Sequence, residues 1–250
     1  TFEGYTNGLA VPLVTSTSSN GIKASGQVTN AAGNSIIGGT NGKVAWFNDS
    51  GGSSAQLEFN AGTSGQSYLA ASFELYNNNT NNNPSYTNAV SVAFAAWNSN
   101  NATAAGSNIK KIANLEFNQS GSPNPIWSVR RSGTNSTAYT NSYVVGAKQT
   151  VHLFANDHDT NSINYVGPDG NVRTLGTNNF AVFFNGAYAG AYAFQANATA
   201  SDGTSVLTGN NNLGRFCFNT TGSDLGNWLI DNVIVSDMPT DVQIPPAAVP

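Results

Sequence analysis

The sequence predicts a single all-β domain, a sandwich, barrel or jelly roll, and three observations carry this prediction. Short apolar and β-branched runs recur along the chain and are separated by Gly, Asn, Ser and Pro. Long segments with apolar residues at the helical spacing i, i+3, i+4 and i+7 are missing. The chain has 250 residues, a length at which an all-β fold is commonly one domain. We therefore expect one β-domain over 1–237, followed by an extended Pro-rich segment over 238–250.

The predicted strands follow the apolar runs, and polar low-complexity stretches such as 77–84 are expected to form exposed loops between them. So many short strands at short intervals are typical of two-sheet or barrel architectures. The predicted spans are 42–47, 55–60, 68–76, 90–97, 111–118, 126–131, 149–156, 162–166, 171–175, 180–185, 188–195, 214–219 and 227–236.

Two hairpins are indicated by their turn residues. Pro168-Asp169-Gly170 lies between two strand-like runs, where Pro sets φ at the turn entry and Gly accepts a positive φ. Asn185-Gly186 lies between aromatic runs, and both residues tolerate the positive φ of a two-residue hairpin turn.

The charge content excludes several classes of partner. Only 9% of the residues are Asp, Glu, Lys or Arg, against roughly 25% in an average protein. The net charge of −4 leaves no basic footprint for nucleic acid, and no Lys/Arg cluster is present for anionic lipid. A surface of neutral amides and hydroxyls instead suits neutral glycans or other copies of the chain.

The chain carries features expected of a secreted protein. Cys217 is the only cysteine, so no intrachain disulfide can form; it is expected to be a small core residue, with an intermolecular disulfide as the alternative. No apolar run reaches the roughly 18–20 residues of a membrane-spanning helix. The sequence starts at Thr1 without Met, which is typical of a processed mature protein.

Three segments carry a resemblance to a known family. They are Phe2-Glu3-Gly4-Tyr5 with Gly8, the double hairpin over 165–188, and the closing run over 228–236. Together they resemble the concanavalin-A-like lectin/glucanase sandwich, and in particular surface proteins of the PEP-CTERM sorting class of exopolysaccharide-producing Gram-negative bacteria. The resemblance implies a two-sheet antiparallel jelly roll with extended N- and C-terminal segments. It also implies secretion to the cell surface, with 241–250 ending where a sorting signal would begin.

Local catalytic motifs are missing, and we expect no enzyme. Glycanases of the resembled class carry alternating carboxylates on one strand, as nucleophile and acid/base. Glu58, Glu74 and Glu116 each stand alone between apolar residues and are expected to face solvent. The histidines His152 and His158 show no triad or metalloprotease spacing. A carboxylate pair that meets only in space is the alternative.

A structural Ca²⁺ is the single cofactor that the sequence indicates. Asp157 and Asp159 supply carboxylates two residues apart in a polar loop, which fits the oxygen preference of Ca²⁺. Glu3 and Asp231 form a second candidate pair across the terminal strands, where some carbohydrate-binding jelly rolls place a structural Ca²⁺. A solvated loop and a hydrogen-bonded Asp231 are the respective alternatives.

Sugar binding needs an aromatic platform beside hydrogen-bonding groups. Trp97 with Asn98 and Trp127 with Arg130 are the candidate pairs, and Trp46 is a third option. Packing in the core is the alternative for each tryptophan.

Three functions remain open. The first is a non-enzymatic, secreted structural or adhesive protein of the cell surface or extracellular matrix, which assembles with other copies through strand or tail exchange. The second is a lectin-like module that binds extracellular polysaccharide. The third is a glycoside hydrolase or lyase with a non-local carboxylate pair.

Overall fold

The structure is a computed structural model that describes residues 22–25, 28–29, 35–37, 44–49, 56–60, 65–78, 90–96, 111–118, 126–130, 136–195, 198, 207, 209–220 and 226–236. Within these ranges the chain forms β-strands and no helix, so no described helix is long and apolar enough to cross a membrane. The strands are β1 (Ile22–Ser25), β2 (Val28–Thr29), β3 (Ser35–Ile37), β4 (Val44–Asp49), β5 (Gln56–Asn60), β6 (Tyr68–Asn77), β7 (Val90–Ala96), β8 (Lys111–Asn118), β9 (Ile126–Arg130), β10 (Ser136–Ser142), β11 (Lys148–Asn156), β12 (Ile163–Val166), β13 (Val172–Leu175), β14 (Asn179–Phe184), β15 (Ala187–Ala193), β16 (Leu213–Asn219) and β17 (Gly226–Ser236).

The strands form two large antiparallel sheets. A seven-stranded sheet has the order β1-β4-β17-β6-β11-β14-β15, and a six-stranded sheet has the order β10-β9-β8-β7-β16-β5. The chain passes between the sheets repeatedly, from β4 to β5, β6 and β7 and later from β15 to β16 and β17. This arrangement confirms the predicted all-β, two-sheet antiparallel jelly-roll sandwich.

The main core lies between the two sheets and is rich in aromatic side chains. Alternate residues of β6 and β11 point into it, as the two-residue period of a strand requires. Phe73 and Phe218 meet edge to face at 5.1 Å, a preferred aromatic geometry. Smaller apolar clusters lie outside the main core, under the β12–β13 hairpin and beside β3 and β4.

Every strand predicted from the sequence is present, with bounds that differ by at most two residues. The structure adds β1, β2, β3 and β10, which the sequence did not predict. The first three are only two to four residues long, and β10 is built of Ser, Thr, Asn, Ala and Tyr without an apolar alternation. These strands are specified by their pairing with neighbours rather than by their own pattern. The predicted extended segments at both termini lie outside the described residues.

Both predicted hairpins form. Asn185 and Gly186 have φ values of 51° and 80°, the left-handed pair that a two-residue turn between twisted strands requires. The Asn185 side chain also ties the turn to the neighbouring strand, because its Oδ1 accepts from the Thr150 amide at 2.8 Å and its Nδ2 donates to Gln149 Oε1 at 2.7 Å.

The other hairpin turns at Gly167-Pro168-Asp169-Gly170, where the Gly170 amide donates to the Gly167 carbonyl at 2.9 Å. Gly170 has a φ of 77°. Arg173 closes the turn with two hydrogen bonds to the Asp169 carboxylate, at 2.6 and 2.8 Å. The guanidinium also stacks on Phe183 and Tyr188, so the hairpin is fixed to the sheet below it.

The side of the six-stranded sheet that faces away from the main core carries a buried polar layer, formed by Glu58, Ser91, Lys111, Asn114 and Arg215. Arg215 Nη1 donates to Glu58 Oε2 at 2.7 Å, and each side chain is 1% exposed. Lys111 Nζ donates to Ser91 Oγ at 2.9 Å, and Ser91 donates to Asn114 Oδ1 at 2.6 Å. Its charged and hydroxyl groups therefore have partners within the protein.

The structure changes the prediction that the three lone glutamates face solvent. Glu58 was expected to face solvent and is instead buried, because Arg215 on the neighbouring strand compensates its charge. Glu74 pairs with the more exposed Lys148 at 2.6 Å, and Glu116 is half-buried.

Cys217 is wholly buried as a free thiol, and burial raises its pKa to about 12. A disulfide between copies through Cys217 is therefore excluded in this folded state.

Candidate functional site

A cleft of about 240 Å³ lies at one end of the sandwich, where strands of both sheets begin or end. We call it the end cleft. Its described lining combines five polar side chains with a set of apolar residues. The polar ones are Asp157, Asp159, Asn178, Gln195 and Asn212, and the others are Ile112, Ala193, Phe194, Ala198, Leu207 and Gly209.

The loop after β11 places the two carboxylates. The Asp157 amide donates to the Ser67 carbonyl at 2.7 Å, which holds this residue against the start of β6. Asn156 stabilises the loop from inside, because its Nδ2 donates to the carbonyls of Asn161 and Gly176 at 2.9 and 3.0 Å. Asp159 reaches the cleft two residues later, and its amide donates to Asn210 Oδ1 at 2.7 Å.

Asn178 closes the cleft from the turn before β14. Its φ of 52° lies in the left-handed region, which Asn tolerates better than most residues. Asn178 Nδ2 donates to Asp159 Oδ1 at 3.3 Å, and its carbonyl accepts from the Phe194 amide at 3.0 Å. The turn therefore orients an exposed amide group beside a carboxylate.

Gln195 and Asn212 connect the two sheets at the cleft by hydrogen bonds. The Gln195 amide donates to the Ile112 carbonyl at 2.9 Å, and Gln195 Nε2 donates to the Lys111 carbonyl at 2.5 Å. The Asn212 amide donates to Asp157 Oδ2 at 2.6 Å, and Asn212 Nδ2 donates to the Gly209 carbonyl at 2.8 Å. Hydrogen bonds from both sheets thus hold the lining in place.

The electrostatics of the cleft are acidic. Asp157 is 4% exposed, and burial raises its pKa to about 6, against the lowering effect of its hydrogen bonds with Asn212; the charge of Asp159 raises it further. The described lining holds no Lys, Arg or His. Two carboxylates therefore face the cleft without a cationic partner in that lining.

The other described residues of the lining are mostly apolar, and one of them is aromatic. Phe194 is half-buried, and its ring is stacked on Phe180 with centroids 6.3 Å apart and planes 21° apart. Ile112 and Leu207 are further apolar residues of the lining. A cleft whose lining combines an aromatic residue with amide and carboxylate groups can contact the apolar face and the hydroxyl groups of one small polar ligand.

The structure places the predicted sugar-binding residues differently from the sequence. Trp127 is fully buried and its ring is stacked on Phe184, so the prediction of Trp127 as an exposed platform is wrong. It extends the main core because β9 turns that side chain toward the other sheet. Trp97 and Asn98 lie outside the described residues, and so does the side chain of Arg130, which ends β9.

Trp46, the third option, is half-buried in the apolar cluster beside β3 and β4. Its Nε1 donates to Asn227 Oδ1 at 2.7 Å, so its polar edge already has a partner. This tryptophan is not part of the end cleft.

The two predicted calcium pairs have different outcomes. Asp157 and Asp159 both line the end cleft. Asp231 is buried in β17 opposite Glu74, and its predicted partner Glu3 lies outside the described residues. Among the described residues, no group of three or more His, Cys, Asp and Glu side chains is placed to hold a metal ion.

Most of the cleft is not visible in the sequence. Asn178, Phe194, Gln195 and Asn212 are far from Asp157 in sequence, and only the sheet order brings them together. A weak signal was present, because Asn178 and Asn212 each directly precede a strand and Gln195 closely follows one. Polar residues at strand ends meet at the ends of a sandwich, where loops form binding sites.

The comparisons with known proteins give structural likeness alone. No family model and no curated protein matches the sequence. The chain is similar to the structure of the conserved carbohydrate esterase vb_24B_21 from the Shiga toxin-encoding bacteriophage phi24B, with 14% identity over 93% of this chain and 98% of that chain and a TM-score of 0.45. It is also similar to the carbohydrate binding module CBM66 from Bacillus subtilis, with 11% identity over 87% and 96% of the two chains and a TM-score of 0.40.

A third similar structure is the legume lectin-like domain from Entamoeba histolytica, with 8% identity over 87% of this chain and 90% of that chain and a TM-score of 0.42. TM-scores this low carry no argument about activity or ligand. The end cleft therefore has to be interpreted from its own residues.

Proposed function

We propose that this chain is a non-catalytic carbohydrate-binding protein of the cell surface or extracellular matrix, and that the end cleft holds a sugar residue of its ligand. The observation that carries the proposal is the pairing of the Phe194 ring with the side chains of Asp157, Asp159, Asn178 and Asn212 around one cleft. Secretion and PEP-CTERM-type sorting are part of the proposal and rest on the resemblance of the terminal motifs.

Sugars require this combination of groups. A pyranose ring presents C–H groups on its faces and hydroxyl groups around its rim, so a site needs an apolar surface and several hydrogen-bonding groups at once. In the end cleft Phe194, Ile112 and Leu207 supply the apolar surface. Asn178 and Asp159 supply exposed polar groups that need no backbone movement to meet a ligand.

The experiment is a glycan array followed by calorimetric titration of the best ligand with wild type and Asn178→Gly. Glycine keeps the left-handed backbone of Asn178 while it removes the amide group. We expect Asn178→Gly to weaken binding about tenfold, which corresponds to about 1.4 kcal/mol.

The matched control is Asn232→Gly, because Asn232 is an exposed asparagine with a φ of 50° in β17 and is not part of the cleft lining. It should bind as wild type does. An array without ligands, or equal losses in the two variants, would refute the proposal.

The absence of catalysis is also a proposal, because the lining of the end cleft holds two carboxylates, Asp157 and Asp159. They are neighbours in the sequence and differ from the non-local pair that the sequence left open. Glycosidases need a raised-pKa acid and an ionised partner on opposite sides of the bond that breaks. Here the two residues belong to one loop after β11 and are two positions apart in the sequence. We expect the bound oligosaccharide to remain intact by mass spectrometry after prolonged incubation; cleavage that Asp157→Asn abolishes would show an enzyme instead.

A structural role through self-assembly is the second candidate, and the edge strand β15 favours it. Ala187–Ala193 reads Ala-Tyr-Ala-Gly-Ala-Tyr-Ala, has no charge or proline, and pairs on one side with β14. Uncharged edge strands can pair with a second chain. The register of this ladder shifts at Ala189 of β15, opposite Val182 and Phe183, and such a bulge opposes pairing with a second chain.

Sedimentation across a concentration series tests this second candidate. Ala191 is exposed on β15, so Ala191→Lys should leave the fold intact and abolish any concentration-dependent dimer. A wild-type chain that stays monomeric at high concentration would refute self-assembly through this edge.

A further inference from the structure

We propose that the end cleft selects glycans that contain an amino sugar with a free amino group, whose ammonium group pairs with Asp157 and Asp159. This inference rests on the proposed carbohydrate-binding function and names the ligand class of the same cleft. It follows from the charge, the burial and the size of the cleft.

The two carboxylates of the cleft lack the cationic partner that the carboxylates of the described ion pairs have. Elsewhere the described carboxylates in ion pairs meet an Arg or Lys at 2.6 or 2.7 Å; these pairs are Glu58–Arg215, Glu74–Lys148 and Asp169–Arg173. Asp157 and Asp159 face the cleft without such a partner in the described lining. A cation that enters the end cleft would therefore meet two carboxylates that form no ion pair among the described residues.

The burial of Asp157 adds an energetic reason. A buried ionised carboxylate is costly unless a charge and hydrogen bonds compensate it. Oδ2 accepts from the Asn212 amide at 2.6 Å, whereas a carboxylate has about four acceptor sites. The raised pKa of about 6 reflects this uncompensated burial. An ammonium group supplies three N–H donors and a positive charge, and it would therefore stabilise the ionised form.

The size and rim of the cleft limit the ligand to about one sugar ring. The volume of about 240 Å³ is below the about 300–1,000 Å³ of a drug-sized site. Phe194 is the aromatic residue of the described lining, and the exposed Asn178 lies next to Asp159. A uronic acid in the same place would bring a third carboxylate to Asp157 and Asp159, and like-charge repulsion would oppose its binding.

Calorimetric titration with four matched tetrasaccharides tests the inference near neutral pH. The probes are a glucosamine oligomer, its N-acetylated form, a neutral glucose oligomer and a uronic acid oligomer. We expect the glucosamine oligomer to bind at least tenfold more tightly than the N-acetylated and neutral forms. The uronic acid oligomer should not bind. The preference should weaken as salt is added, because the pairing is electrostatic.

Asp157→Asn and Asp159→Asn should each reduce the preference for the glucosamine oligomer while they keep the hydrogen-bonding shape of the side chains. Asp169→Asn is the matched control, since it removes a carboxylate in the 167–170 turn, outside the cleft lining. It should leave the preference unchanged.

The possible failures are distinguishable. Equal affinity for amino and neutral sugars would overturn this inference and leave the proposed function standing. If no probe and no glycan on the array binds, the proposed function fails as well. Binding that a chelator abolishes and added Ca²⁺ restores would overturn the ammonium pairing and assign the carboxylates to a metal ion.

Discussion

The sandwich has two polar regions that differ in whether their buried carboxylates form ion pairs. In the buried polar layer, Glu58 meets Arg215 at 2.7 Å and Lys111 donates to Ser91 at 2.9 Å. In the end cleft, Asp157 is almost as buried, and its carboxylate receives a backbone amide but no cation from the described lining.

This difference separates charges that serve the fold from charges available to a ligand. A paired buried charge has its partner supplied during folding, so it specifies how neighbouring strands align. A buried carboxylate without a cationic partner lowers the stability of the folded state, and a bound cation can offset that cost. The contrast is the main physical reason to place the function of this chain at the end cleft.

The largest expected effect comes from breaking the buried ion pair. Arg215→Met should lower the free energy of unfolding by about 3–5 kcal/mol, because Glu58 would remain buried without its cation. Chemical denaturation at neutral pH measures the change. The double variant Glu58→Leu with Arg215→Met should recover most of the loss, since no lone charge remains. A single variant as stable as wild type would contradict the structural role of the layer.

A smaller effect of opposite sign is expected for Asp157→Asn. Because the folded-state pKa of about 6 lies above the ordinary 3.8, wild type gains stability as the pH falls from about 6 to about 4. Above pH 6 the variant should be more stable by about 1–3 kcal/mol, and below pH 4 the two should coincide.

Thermal unfolding across this pH range measures the difference between Asp157→Asn and wild type. A constant difference at every pH, or a variant that is less stable at high pH, would show that Asp157 is compensated after all and would remove the contrast.

The smallest change in the free energy of unfolding is expected when the ion pair Glu74–Lys148, which lies near solvent, is broken. Glu74→Gln removes a carboxylate that pairs with Lys148 near solvent, where the lysine side chain is 38% exposed. Surface pairs contribute about 0–1 kcal/mol, so denaturation should detect little change. A loss as large as that of Arg215→Met would mean that burial does not explain the difference between the regions.

The sequence predicted the fold more completely than the site. The hairpin turns at Asp169-Gly170 and Asn185-Gly186 and the apolar strands follow local patterns, which period and turn chemistry make visible. Asp157 and Asp159 were also visible, as carboxylates in a polar loop. The burial of Glu58 was not, because its partner Arg215 is 157 positions away and only the strand order joins them.

The cleft could not be assembled from the sequence for the same reason. Asn178, Gln195 and Asn212 follow or precede different strands, and their convergence depends on the pairing of β11, β14 and β15 and on the passage of the chain to β16. Trp127 shows the converse, since the sequence left open whether its side chain is exposed or packs in the core, and the fold buries it fully.

The central claim, that the end cleft is the binding site, is tested most directly by a two-dimensional NMR titration of the full chain with the glucosamine oligomer. The account predicts that the amide signals of Asn178, Phe194 and Asn212 shift and saturate together, while those of β16 around Cys217 stay in place. Saturable shifts confined to another surface, or no shifts at any ligand concentration, would contradict it.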